Sequence, residues 1–131
     1  MVFNRAVSYG IIATTYIAQH EGACTGQEVS EACGISAGHL LKVLQQLVKA
    51  HILTSERGPS GGFSMRGDPN KVTIHDVFVA VNGPIEGEFA GRSEIKGMNN
   101  AKSLILKACQ DVAKLSSAQL SKITISQLAK K

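Results

Sequence analysis

Between Thr25 and Arg66 the apolar residues change their spacing once, from a helical period to a strand period. That change restricts the segment to two helices followed by a hairpin. The first helix opens at Thr25-Gly-Gln-Glu28, which fits a capping box. The Thr hydroxyl and the Glu carboxylate would each take a free N–H group at the helix start. Val29 and Ala32 give this helix an apolar side, and it stops at Cys33-Gly34, where glycine accepts a sharp bend. Ser36 is the next cap. From His39 to Ala50 the pattern is strongly helical, with Leu40, Val43, Leu44 and Leu47 as the stripe to be buried. Lys42, Gln45, Gln46 and Lys49 lie mainly outside that stripe. Ile52–Arg57 then has strand character and Gly62–Arg66 is its partner, joined by the turn-rich Gly58-Pro59-Ser60-Gly61.

The flanks are helical. A helix over residues 4–20, capped by Asn4, carries Val7, Ile11, Thr14, Ile17 and Ala18 at helical spacing, and Gly22 follows its end. Thr73-Ile-His-Asp76 opens a fourth helix that runs to Asn82, with Asp76 as a capping carboxylate and Asn82-Gly83-Pro84 as its stop. Residues 85–97 show no period and are expected to be a loop. A long helix over Asn99–Lys122 follows. In it Ala101, Ile105, Ala108, Val112, Leu115 and Gln119 alternate spacings of four and three, a short heptad-like seam. A last helical turn begins at Thr124, with Ile125 and Leu128 apolar. The expectation is a mostly α chain with a small β-hairpin, divided into residues 1–84 and 85–131.

Composition narrows the function classes. A chain of 131 residues supports one compact domain with a modest core. The net charge is +4, but residues 1–84 hold six Lys and Arg against six Asp and Glu, and residues 85–131 hold eight against four. The excess sits in the C-terminal third, so charge alone does not point to a polyanion. No apolar run approaches the roughly 20 residues of a membrane span. The N-terminus lacks a basic stretch followed by an apolar block, so the expected compartment is the cytoplasm. Cys24, Cys33 and Cys109 form no C-x-x-C and match no zinc spacing. His20, His39, His51 and His75 are scattered without metal-ligand spacing. Gly58–Gly62 is glycine-rich but lacks the G-x-x-x-x-G-K-[ST] order and sits in a hairpin. With no nucleophile arrangement or carboxylate pair, the chain is not read as an enzyme.

Two short helices joined by a glycine turn, then a hairpin, are the layout of a winged helix-turn-helix. The first helix braces the second, whose N-terminal end fits the major groove. Ser36, Ala37 and Gly38 are small enough for close approach, and His39 and Lys42 can reach base edges or phosphates. Free N–H groups at that helix end favour phosphate. Arg57, Ser60 and Gly61 belong to a wing tip without bulk that can enter the minor groove. Thr25 and Gln27 complete the candidate DNA-facing set, and Ala101, Ile105, Ala108, Val112 and Leu115 are the candidate dimerisation residues. A winged-helix module that contacts protein instead of DNA would keep the same fold and stands as the alternative.

Residues 36–53, from Ser36-Ala-Gly-His39 to His51-Ile-Leu53, together with Arg57-Gly-Pro-Ser-Gly-Gly-Phe63, resemble the Rrf2 family of bacterial transcription regulators. Val72–Gly83 is similar to the helix that follows the wing there, and Thr124–Leu128 to the family's C-terminal turn. The resemblance implies a homodimeric regulator, a repressor in the leading reading, whose long helices cross and whose paired units bind a palindromic operator in double-stranded DNA. It assigns recognition to Ser36, Ala37, His39 and Lys42, and the wing role to Arg57, Ser60 and Gly61. His39 departs from the Tyr common in members. Many members hold an iron–sulfur cluster through three cysteines in the loop before the long helix and at its start, whereas residues 85–105 here contain none. A member without a cluster or other cofactor is therefore expected. Cys24 and Cys33 are then small buried residues, and a redox or ligand role stays open for Cys109. The loop, the long helix and the cleft between copies are where a small molecule or protein effector would act.

Overall fold

In a computed structural model that describes residues 3–59, 61–87 and 96–131, the chain follows the expected order. Ser60 of the wing tip and residues 88–95 of the expected loop lie outside the described residues. The first helix, α1 (Arg5–Ala18), starts because the Asn4 side chain accepts the Val7 N–H at 2.8 Å. The same Asn4 amide donates to Asn82 at 3.0 Å, which ties the start of α1 to the end of α4 (Ile74–Asn82). Next in the chain come α2 (Gly26–Cys33) and α3 (Ala37–Lys49). The hairpin of β1 (Leu53–Glu56) and β2 (Gly62–Met65) is antiparallel, with Leu53 opposite Met65 and Glu56 opposite Gly62. A 3-10 turn over Pro69–Lys71, which periodicity did not signal, precedes α4. The long α5 (Asn99–Leu120) and the short α6 (Ile125–Ala129) complete the chain.

One core joins these elements. Ile17, Val29, Leu40, Val43, Leu44, Leu47, Leu53, Val77 and Ile125 pack together, drawn from α1, α2, α3, β1, α4 and α6. Each such side chain contributes about 1.5–3 kcal/mol on burial. The core includes α6, although α6 lies beyond the long helix in sequence. It docks on α1, and its start is fixed to the start of α4 by two backbone bonds. Ile74 N–H donates to the Ile123 carbonyl at 2.9 Å, and Ile125 N–H donates to the Val72 carbonyl at 2.8 Å. Thr73 and Thr124 each form a capping box, with Asp76 and Gln127 respectively.

α5 stands apart from this arrangement. Its buried residue is Ala113, and the half-buried Leu106, Cys109, Ser116 and Leu120 share the stripe that faces its own chain. Gly87 lies flat on that stripe, where an added Cβ would strike the backbone of Gln110.

Candidate nucleic-acid interface

The helix-turn-helix angle is set by the turn between α2 and α3. Gly34 takes the left-handed conformation, φ 68°, that favours glycine. Ile35 is buried there, its N–H donates to the Ser30 carbonyl at 3.1 Å, and the Ser30 hydroxyl donates to the Ile35 carbonyl at 2.5 Å. Ser30 thus holds the turn from both sides, a role its mid-helix position did not advertise.

Ser36 occupies the cap position of α3 but does not cap it with its side chain. Its hydroxyl instead pairs with Nδ1 of His39 at 2.9 Å. A histidine three residues on competes for the hydroxyl that the first-turn N–H groups would otherwise take. The helix end therefore presents its N–H groups next to Ala37 and Gly38, both exposed. Lys42 is exposed on the same helix. At α2 the expected capping box is half formed. Thr25 accepts the Glu28 N–H at 3.1 Å, while Glu28 faces solvent without a return bond. Thr25 is thus occupied in starting α2. Gln27 is exposed, donates to Glu31 at 3.1 Å, and lines a groove with Ala37.

The wing is tied to α2 by a bond pair that periodicity could not reveal. Cys24 N–H donates to the Phe63 carbonyl at 2.8 Å, and Phe63 N–H donates to the Cys24 carbonyl at 2.7 Å. A single residue thus acts as a third strand beside β2. Gly62, at φ 142°, sits so close that a Cβ would strike the Cys24 carbonyl. A Cβ at Gly61 would strike the Glu56 carbonyl. These glycines close the hairpin, which leaves Arg57 exposed beside the tip. The candidate residues thus fall into two groups, Gln27 with Ser36–Lys42 and Arg57 with Gly61.

Ala101, Ile105, Ala108, Val112 and Leu115 all lie exposed along one stripe of α5. Val112 is 58% and Leu115 70% exposed, and Leu104, missed by the seam pattern, is 60% exposed.

The family model for Rrf2, described as an iron-dependent transcriptional regulator, matches residues 3–131. The chain belongs to the Rrf2 family. It is similar to an HTH-type transcriptional regulator of Aquifex aeolicus, 35% identical over 59% of this chain and 54% of that protein, so it spans about half that relative's length. It is 28% identical to the HTH-type transcriptional regulator IscR of Photobacterium profundum over 92% of this chain and 70% of that one. The fold resembles that of CymR, the global cysteine regulator of B. subtilis, with a TM-score of 0.75, 21% identity, and coverage of 98% of this chain and 96% of that one. Rrf2 membership makes the chain a DNA-binding transcription regulator and not an enzyme, and it disfavours the protein-contacting alternative. Rrf2 regulators bind DNA as dimers.

The iron named in the family description calls for ligands. Among the described residues no group of three or more His, Cys, Asp or Glu stands ready to hold a metal ion. Cys24 is buried in the core, and burial followed by the nearby Glu28 pushes its thiol pKa up. Burial also pushes up the Cys33 thiol at the end of α2. Both disfavour the thiolate that ligation needs. Cys109 is half-buried on α5, away from those elements. Cys24 and Cys33 as they stand are therefore poor ligands for an iron–sulfur cluster. No helix among the described residues is long and apolar enough to cross a membrane.

Proposed function

We propose that this Rrf2-type chain is a cytoplasmic homodimeric repressor that reads a palindromic operator through α3 and the wing and works without an iron–sulfur cluster. The observation that carries the DNA reading is the uncapped, exposed N-terminus of α3. Its N–H groups, next to Ala37 and Gly38 and near Lys42, offer a phosphate site and room for base edges. His39, held by Ser36, and Lys42 are the proposed contacts in the major groove. Arg57, with Ser60 and Gly61, is the proposed minor-groove contact. Gln27 supports the same face from α2, and Thr25 contributes by fixing the start of α2. The residues 1–84 form the reading unit, and 85–131 supply the dimer helix, with α6 returning to the reading unit's core.

The exposed seam Ala101, Ile105, Ala108, Val112 and Leu115 supports dimerisation through α5. A small molecule or protein effector would act where residues 85–87 meet α5, close to that seam. The absence of cysteine from residues 85–105 supports the cluster-free reading. The test has two parts. Gel shift against DNA upstream of the chain's own gene should show sequence-selective, salt-sensitive binding, and none under any ligand condition would overturn the reading. Anaerobic purification should yield colourless protein that still binds DNA, whereas a brown protein with stoichiometric iron would overturn the cluster-free part.

A further inference from the structure

Leu41 is 49% exposed on a helix whose other leucines, Leu40, Leu44 and Leu47, are buried. A single exposed leucine is ordinary, so its position decides its meaning. Ala37, Leu41 and Gln45 follow one another at four-residue spacing along the exposed face of α3, with Gly38 and Lys42 beside them. Helical side chains lean toward the N-terminus. Leu41 therefore lies over the first turn, where Ala37 and Gly38 have no bulk to cover it.

Leu41 also lines a groove of about 440 Å³ between α2 and α3, together with Gly26, Gln27, Ser30, Glu31 and Ala37. On the α2 edge of that groove stands the Glu31 carboxylate, held by Gln27. A negative charge there disfavours a phosphate, so this edge suits an uncharged group. The apolar group that the major groove displays is the C5-methyl of thymine.

We propose that Leu41 is a specificity-determining residue that reads a thymine methyl in each half-site. The proposal rests on α3 being the DNA-reading helix. It adds an apolar contact to a surface otherwise described by hydrogen bonds and charge.

The experiment starts from duplexes selected out of a random-sequence pool by the full-length protein. Each thymine is then replaced in turn by deoxyuridine, which removes the methyl and keeps the base pairing. One position per half-site should weaken binding about fourfold, the worth of one buried methyl-sized group, and about fifteenfold when both half-sites change. Leu41→Ala, whose fold is checked by its melting curve, should bind the thymine and deoxyuridine duplexes equally. Indifference of the native protein to every deoxyuridine overturns the proposal while the DNA reading stands. Deoxyuridine sensitivity that persists in Leu41→Ala overturns it too. A protein that selects no duplex overturns the DNA reading and the proposal with it.

Discussion

α3 and α5 are both surface helices with apolar residues at regular spacing, and they spend those residues in opposite ways. α3 turns Leu40, Val43, Leu44 and Leu47 into its own core. α5 is longer, 22 residues, yet Ala113 is its buried position, and Ile105, Val112 and Leu115 face solvent. A helix with a buried stripe is complete within one chain. A helix whose apolar ridge faces water is complete only when a second surface covers it. The first kind serves a rigid reader, and the second suits an assembly whose geometry a signal can alter.

The comparison breaks if substitutions in the two helices behave alike. Leu44→Ala removes a fully buried side chain and should cost about 3 kcal/mol, visible as a large fall in melting temperature. Leu115→Ala should leave the far-UV spectrum unchanged. Replacing Val112 and Leu115 together by Asp should convert the protein from dimer to monomer in sedimentation equilibrium. Operator affinity should then fall about a hundredfold, because two half-site contacts are no longer linked. A dimer that survives this change would place the interface elsewhere.

Smaller effects sharpen the picture. Gly62→Ala forces a Cβ onto the Cys24 carbonyl at a backbone angle that L-residues avoid, and should cost about 2 kcal/mol by denaturant unfolding. Lys42→Ala on α3 should lower the slope of log affinity against log salt by about 1. Lys107→Ala on α5 deletes an exposed ion pair with Asp111, 3.2 Å long, and should leave that slope unchanged and stability within about 0.5 kcal/mol. Equal slopes for the two lysine variants would refute the assignment of the DNA face to α3.

Periodicity made most of the architecture legible. The ends of α1, α2 and α4 follow from Asn4, Thr25, Gly34, Thr73 and Asp76, because caps act locally and leave a local trace. The hairpin follows from glycine placement and the change of period, while its register, with Glu56 opposite Gly62, was not legible. Three features escaped for one physical reason, that their partners are chosen in space. Cys24 pairs with Phe63 as a one-residue strand, which has no period to detect. Ser36 sits in the expected cap position, but its hydroxyl goes to the His39 ring instead of the backbone, a choice between two partners within equal reach along the chain. Ser30 locks the turn through Ile35, a contact set by the angle between two helices. In the candidate site, the small residues and cations were legible by type. Leu41 was not, because its spacing leaves it outside the buried stripe without showing that it lines a groove beside α2.

The paired capping boxes at Thr73 and Thr124 have a mechanical consequence. α4 and α6 depart from one clasp formed by residues 72–74 and 123–125. α5 (Asn99–Leu120) runs at its C-terminal end into this clasp, so it is fastened back to the core there. A displacement of α5 would reach the clasp, next to the core residue Ile125. From there it passes through α1 to α3. The helix proposed to meet the partner and the helix proposed to meet DNA are thus fastened to one frame, which gives a signal at the first a solid route to the second.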